Sequence, residues 1–196
     1  MGGSSGSSVA DRGLASFGAI RRSIPFAAVN RRDRPGHDPS LQRHHLLPRQ
    51  LRTMRCFERM FGELGIARMG LEDFRRNGML LPARERAALR TGLPLHRGPH
   101  RTYSELVAQR VGQIERGWAA ARSRDPEGAV GEALMRLALL QRGLRRRLLD
   151  TRRRLLLNRR DPIGHGLDFA EMDAIAEALW SVTQPTTLIA SSSRAA

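Results

Sequence analysis

Residues 43–48 read RHHLLP, the first of three short blocks that decide the fold. The second block, NGMLLP, spans residues 77–82, and the third, LHRGPHRTY, spans residues 95–103. Between the first two blocks, apolar residues recur at helical spacing from Leu51 to Leu64, and Gly65 is a plausible C-terminal stop. This part of the chain therefore predicts an amphipathic helix between two short blocks.

A strand and a second helix are expected after that helix. The run Arg75-Arg76-Asn77-Gly78 is a strong turn signal, and the apolar residues that follow it are closed by Pro82, which predicts a short strand or a hairpin arm. From Pro99 onward, apolar and aromatic residues return at helical spacing as far as Trp118, with Pro at a first helical position. The expected fold class is therefore mainly α with a small β-hairpin.

The two ends of the chain differ from its middle. Residues 1–40 are rich in Gly, Ser and Pro without a sustained period, which predicts a disordered basic segment. Residues 129–160 predict one long basic helix, with leucines in a stripe and arginine triplets on its other faces, and Asp161-Pro162 breaks it. An acidic helix predicted at 168–181 would cover that basic helix, and residues 183–196 are expected to be a flexible tail.

Arginine dominates the charge. All 34 basic residues are Arg, and with 19 acidic residues the net charge is +15 and the pI about 11.7. Residues 41–122 alone hold 16 arginines and seven acidic residues, a local net charge of +9. This balance makes polyanions the expected partners, nucleic acid first.

Composition also excludes several classes of protein. With Cys56 as the single cysteine, neither an intrachain disulfide nor a Cys-based zinc cage can form. No apolar run is long enough for a transmembrane segment, and the start lacks a clear signal peptide. The cytoplasm is the expected location.

The histidines are the residues that could carry chemistry. In an extended segment neighbouring side chains point to opposite sides, so one of His44 and His45 can hold a cation while the other takes a proton from water. Hydrolysis of a phosphodiester needs that division of labour. His96 lies just before the second predicted helix and His100 in its first turn, with Asn77 in a turn between the two pairs. Together they indicate a metal or phosphate site.

The three blocks, in this order, closely resemble the AHH nuclease family of the His-Asn-His endonuclease group, although Arg43 stands where the family name has Ala. The resemblance covers residues 43–122 and implies a ββα-metal nuclease core that grips one divalent cation and hydrolyses phosphodiester bonds of DNA or RNA. Members are often toxin domains of bacterial polymorphic toxins, which act in a target cell's cytoplasm. The expected segments are a disordered N-terminus (1–40), the nuclease domain (41–122), a C-terminal helical extension (123–182) and a flexible tail (183–196).

The resemblance also implies roles for single residues. His44 matches the first of the paired histidines and would be a metal ligand, and His45 matches the second and would be the general base. Asn77 matches the central Asn, which either orients the base or adds to the metal shell. In the last block His100 is the better match for a ligand, and His96 is a ligand or a phosphate contact.

Arginines and the metal complete the expected site. Arg97 and Arg101 alternate with the histidines and could hold non-bridging phosphate oxygens, a bidentate task that suits guanidinium, and Arg43 is a third candidate. Tyr103 matches a position that is usually aromatic and is expected to be structural. A His-rich shell favours zinc, nickel or manganese over magnesium, and the working metal stays open.

Two alternatives from other function classes stay open. In the first, the chain is a non-catalytic basic nucleic-acid-binding module whose histidines satisfy polar contacts in a small core. In the second, it is an interaction protein whose 129–160 helix meets an acidic partner, such as an immunity-type inhibitor, or an anionic membrane. The second needs an exposed leucine stripe on that helix, formed by Leu134, Leu137, Leu144 and Leu148.

Overall fold

Residues 22–153, 155–158 and 161–162 are the part of the chain that the computed structural model describes. This part contains six α-helices, a two-stranded antiparallel sheet and two short 3-10 helices, Phe26–Ala28 and Arg49–Thr53. In chain order the elements are β1 (Leu41–His45), α1 (Arg55–Leu64), α2 (Ile66–Met69), α3 (Phe74–Asn77), β2 (Gly78–Pro82), α4 (Glu85–Thr91), α5 (Arg101–Ala121) and α6 (Pro126–Leu149). The expected fold class, mainly α with a small hairpin, is confirmed. None of the described helices is long and apolar enough to cross a membrane.

The sheet joins the first two sequence blocks. β1 and β2 pair in antiparallel register, from Leu41 opposite Pro82 to His45 opposite Gly78. The predicted strand after Gly78 is confirmed as β2, and its partner β1 is separated from it by α1, α2 and α3. Only glycine fits at position 78, because a Cβ there would overlap the ring of Phe74.

The turn predicted at Asn77-Gly78 is instead the end of a helical turn, α3. The carboxylate of Asp73 caps this turn by accepting the N–H of Arg75 at 3.0 Å. Asp is a favoured N-cap residue, and the helix that it caps begins at Phe74, one residue before the predicted turn. The chain therefore enters β2 from a helix and not from a tight hairpin turn.

The core lies between the sheet and α1, α5 and α6. The amphipathic helix predicted to end at Gly65 is confirmed as α1, and Gly65 has φ 79, the conformation that stops it. Tyr103 and Trp118 mark the ends of the buried face of α5, which packs along α6. The largest fully buried side chains are Leu46, Leu47, Leu51, Met60, Leu64, Met69, Leu81, Leu95, Ile114, Leu137, Leu148 and Leu155.

The long basic helix is shorter than predicted, because α6 ends at Leu149 and not at 160. The carboxylate of Asp150 accepts hydrogen bonds from the N–H groups two and three residues later, at 2.9 and 3.1 Å. These bonds offer the backbone an alternative to the helix and turn the chain. Leu155 and Leu157 are then buried in the core from outside the helix.

The leucine stripe of α6 is largely covered. Leu137, Leu144 and Leu148 are buried in the core, and Leu134 packs against it half-buried. The apolar surface that the interaction-protein alternative needs is therefore not exposed on this helix. The acidic helix predicted at 168–181 and the tail after it lie outside the described residues.

The N-terminal segment before β1 has defined contacts. Ile24 donates its N–H to the carboxylate of Asp73 at 3.0 Å and accepts the N–H of Phe74 at 2.7 Å. This part of the segment predicted to be disordered thus contacts the start of α3 through hydrogen bonds. Residues 1–21 lie outside the described part of the chain.

A single side chain closes the loop that leads into β1. Asn30 has φ 47, a left-handed conformation that Asn tolerates better than most residues. Its amide nitrogen donates to the carbonyls of Asp38 and Leu41 at 2.8 and 3.0 Å, and its amide oxygen accepts the N–H of Asp38 at 2.8 Å. The loop therefore delivers the chain to β1 in a defined position.

Candidate active site

Three histidines from separate parts of the chain converge beside β1. His44 lies on β1, His96 in the loop after α4, and His100 at the start of α5. One side-chain nitrogen from each lies within 4.8 Å of the others, and the ring centroids are 4.4 to 5.6 Å apart. The structure thus brings together the three residues expected to hold a metal, which we call the histidine cluster.

The histidine cluster contains two buried nitrogens without a hydrogen bond. Nε2 of His44 and Nδ1 of His100 are buried and have no partner. Leaving a buried polar group unpaired costs about 1–3 kcal/mol, so such groups usually have a ligand or a partner. Nitrogens about 2.0–2.1 Å from a tetrahedral zinc lie about 3.4 Å apart, a separation that small side-chain adjustments would reach. The residues present therefore fit a cation.

Hydrogen bonds hold two of the rings from behind. Nδ1 of His96 lies 3.1 Å from Oε1 of Gln42, and His100 hydrogen-bonds the backbone of Leu157. Outer partners of this kind fix the orientation and tautomer of metal-binding histidines. No sequence pattern marks Gln42 or Leu157, because both contacts depend on chain packing.

Burial keeps the histidine cluster neutral. It lowers the pKa of His44 well below 6.5, and the charges of His96 and His100 lower it further. Burial, followed by the charges of His100 and His45, lowers the pKa of His96 to about 4. Burial also lowers the pKa of His100, against a hydrogen bond to the Leu157 backbone that raises it. Histidine binds metal as neutral imidazole, so all three rings are in the required form at neutral pH.

His100 lies one residue outside α5. Its φ of −105° and ψ of 62° are not helical, and its carbonyl accepts the first helical hydrogen bond, from Ser104 at 2.9 Å. The prediction of His100 in the first helical turn is therefore wrong by one position, and the helix begins two residues after the predicted start at Pro99.

His45 lies apart from the histidine cluster, as the alternation of a strand predicts. Its ring stacks face to face on Phe26, with the centroids 3.8 Å apart and the planes 4° from parallel. His45 is half-buried. Burial lowers its pKa, the nearby Arg49 and Arg43 lower it further, and Glu72 raises it. The ring is therefore neutral and partly accessible.

Asn77 braces the chain just beyond the paired histidines. Its side-chain oxygen accepts the N–H of Leu47 at 2.7 Å, and its nitrogen donates to the carbonyls of Leu47 and Leu71 at 3.2 and 3.0 Å. Its backbone carbonyl accepts the N–H of Leu46 at 2.8 Å, and Gln141 approaches its side-chain oxygen at 3.4 Å. These contacts place Asn77 in the scaffold of the site.

Tyr103 is the second brace. Its hydroxyl donates to the carbonyl of Leu46 at 2.7 Å, and its ring packs at an angle against His44 with the centroids 5.1 Å apart. Burial raises the pKa of the phenol, so the hydroxyl stays protonated as a donor. The aromatic residue expected to be structural at this position thus ties α5 to the end of β1.

The arginines expected to hold phosphate differ in their surroundings. Arg97 and Arg101 are exposed and lie next to His96 and His100 in the chain. Arg43 is exposed on β1, and its Nη1 donates to the carbonyl of Phe26 at 2.8 Å. One donor of Arg43 is therefore already used within the protein.

The C-terminal extension reaches the site, which the sequence did not indicate. The carboxylate of Asp161 accepts the N–H of Leu95 at 2.7 Å, one residue before His96, and Leu157 contacts His100 through its backbone. The sequence predicted only that Asp161, with Pro162, breaks the preceding helix. Residues after α6 therefore support the histidine cluster from outside the expected nuclease domain.

A comparison with models of protein families identifies a match. A family model named AHH, described as a nuclease family of the HNH/ENDO VII superfamily with conserved AHH, matches residues 26–138. The matched range contains the histidine cluster, His45 and Asn77, and it begins at Phe26. No curated protein and no solved structure matches the chain.

Proposed function

The chain belongs to the AHH nuclease family of the HNH/ENDO VII superfamily, and we propose that it is a metal-dependent endonuclease that hydrolyses phosphodiester bonds of DNA or RNA. The observation that carries the proposal is the convergence of His44, His96 and His100, with two buried nitrogens unpaired, beside a fourth imidazole that stays outside the cluster. The residues that would bind a cation are therefore separate from the residue that would accept a proton.

His44, His96 and His100 would hold one divalent cation. Three nitrogen ligands favour zinc, nickel or manganese over magnesium, which prefers oxygen. Once bound, the ion supplies a Lewis acid that polarises the scissile phosphate and stabilises the charge on the departing oxygen. Gln42 and the backbone of Leu157 would keep His96 and His100 oriented for this task.

His45 is the proposed general base. Its lowered pKa leaves the ring neutral, and its half-exposed position lets a ring nitrogen take the proton of an attacking water. It contributes no nitrogen to the histidine cluster, so its lone pair stays available. General-base assistance of this kind is typically worth about 10²–10⁴-fold in rate.

Asn77 and Tyr103 act through the backbone in this proposal. Asn77 binds the carbonyl and N–H of Leu47, and Tyr103 binds the carbonyl of Leu46, so both hold the chain that leaves His45. Asn77 is therefore proposed as a positioning residue, the first of the two roles that the family resemblance allows.

Arginines would bind the substrate. Arg97, Arg101 and Arg43 are proposed to contact phosphate oxygens near the scissile bond, within a chain of net charge +15. Because binding would release counterions from the nucleic acid, affinity should fall steeply with salt. The same basic surface would suit an acidic immunity-type inhibitor.

The non-catalytic binding module is the weaker proposal. It requires histidines that satisfy polar contacts within the core. Two buried nitrogens of the histidine cluster have no such contact, which favours a ligand site.

The test is a cleavage assay on supercoiled plasmid and, separately, on folded RNA, with manganese, magnesium, zinc, nickel or chelator. Metal-dependent cleavage should fall by about 10²–10⁴-fold in His45→Ala, while binding in a gel-shift assay is retained. His37→Ala is the matched control, because His37 lies outside the site in the loop before β1. Salt-sensitive binding without cleavage under any metal would favour the binding module, and equal loss of binding and cleavage in His45→Ala would refute its role as base.

A further inference from the structure

One aromatic ring covers a face of the candidate base. Phe26 lies before β1, outside the sheet, yet its ring is stacked on that of His45 at 3.8 Å and 4°. A flat ring at this distance restricts rotation of the imidazole about its side-chain bonds, because any tilt would bring the two rings into overlap.

Contacts on several sides hold Phe26 in position. Its ring meets the ring of Phe74 edge-on, with the centroids 5.2 Å apart and the planes at 75°. Its carbonyl accepts a hydrogen bond from Arg43 at 2.8 Å. The residue before it, Pro25, forms a β-bridge with Asp73. The ring is therefore held by contacts to both α3 and β1.

His45 differs from His96 and His100 in how its ring is held. His96 is held by Gln42 and His100 by the Leu157 backbone, whereas no hydrogen bond from a described residue reaches the ring nitrogens of His45. A general base is normally oriented by a third group that hydrogen-bonds it. Here the stacked ring of Phe26 serves as the third group that orients the base.

We propose that Phe26 is a positioning residue that holds the His45 imidazole by stacking and leaves both of its nitrogens free for proton transfer. The inference rests on the proposed function, in which His45 takes a proton from water. A misplacement of about 1 Å in a catalytic group can cost about 10²-fold in rate, so the loss of the stacked ring should lower kcat.

The kinetic test compares variants of Phe26 in the full chain. Phe26→Leu should lower kcat by about 10–100-fold with KM unchanged, because substrate and metal contacts remain. Phe26→Tyr should restore kcat, since a phenol can stack in the same way. Val29→Ala, a truncation in the same segment, is the control and should leave kcat unchanged.

Two further measurements separate positioning from a loss of stability. Adding Phe26→Leu to His45→Ala should cause no further loss of rate, because the group that Phe26 positions is already absent. In NMR spectra, the His45 ring protons should show the upfield shift of a stacked ring in the wild type and in Phe26→Tyr, and lose it in Phe26→Leu. Thermal melting checks folding, and Phe26→Met, which is apolar but not flat, replaces Phe26→Leu if that variant does not fold.

The outcomes distinguish this inference from the function on which it rests. If His45→Ala lowers the cleavage rate as expected but folded Phe26→Leu or Phe26→Met keeps the wild-type kcat, the positioning role is refuted and His45 remains the base. If His45→Ala keeps full activity, both proposals fail. If Phe26→Leu lowers the rate equally in the presence and absence of His45, Phe26 acts on something other than the base, and the inference fails alone.

Discussion

His44 and His45 are neighbours on one strand, yet the groups that surround the two rings differ. His44 is buried among His96 and His100 with an unpaired nitrogen, and His45 is half-buried with one face against Phe26. The alternation of a β-strand puts the two rings on opposite sides, and each side is built from different parts of the chain. One residue type thereby serves as a candidate ligand in one position and a candidate base in the next.

The largest effect is expected from removing each ring in turn. His44→Ala should abolish both metal binding and cleavage, whereas His45→Ala should lower kcat by about 10²–10⁴-fold and leave metal affinity unchanged. Isothermal titration with zinc or manganese, alongside the cleavage assay, measures both properties. His37→Ala, a histidine outside both sites, is the control.

A different result would break the comparison. If His45→Ala weakened zinc binding as much as His44→Ala, the two rings would belong to one ligand set, and the division between ligand and base would be wrong.

A second substitution removes the side chain of Asn77, which supports the chain next to both histidines. Asn77→Ala should lower the free energy of unfolding by about 2–4 kcal/mol, because it leaves buried backbone groups of Leu47 and Leu71 without partners. Since Asn77 braces the chain beyond both rings, metal affinity and kcat should fall together in the folded fraction. Urea denaturation, zinc titration and cleavage measure the three quantities.

The control for Asn77 is Arg75→Ala, an exposed side chain on the same helical turn, where Arg75 forms its hydrogen bonds through backbone atoms. An Asn77→Ala protein with wild-type stability would show that its hydrogen bonds are not structural. It would also favour a role in which Asn77 contacts the base or the metal directly.

The smallest effect concerns the response of the metal-free protein to pH. His96 has a pKa of about 4 in the folded chain and about 6.5 when unfolded, so the unfolded state takes up its proton first as pH falls. The stabilisation that neutral His96 gives the folded chain is therefore complete above about pH 6.5 and is lost progressively as the pH falls toward 4. Melting temperatures measured with chelator across this range should fall, and His96→Gln should reduce the slope.

The pH dependence of the melting temperature bears on the comparison of His44 with His45, because it reports on the histidine cluster, which lies on the His44 side of β1. A melting temperature that stays constant from pH 7 to 4.5 would contradict the assigned burial of the histidine cluster.

Local patterns predicted the elements that depend on local rules. The apolar spacing before Gly65 identified α1, and the apolar run closed by Pro82 identified β2, because periodicity and turn chemistry act over a few residues. Two errors occurred where a single capping carboxylate decided the outcome. Asp73 starts α3 in place of a turn, and Asp150 ends α6 early, and neither residue stands out from other aspartates in the sequence.

The site was predictable to the extent that its residues are unusual. Paired histidines and a second spaced pair in a basic region are rare enough to indicate a metal site, and the structure brings three of the four together. Phe26 and Gln42 carried no such signal, because a lone phenylalanine and a strand glutamine are common. Phe26 also lay in a segment without periodicity, which pointed to disorder.

The sequence by itself determined which residues carry the candidate chemistry, and through strand alternation that His44 and His45 face apart. Only the tertiary structure decided what each ring meets. His96 and His100 reach His44, Gln42 and Leu157 orient two of those rings, and Phe26 covers His45, all through contacts between distant parts of the chain. Such contacts follow from the packing of helices and loops around a shared core, which no short stretch of sequence encodes.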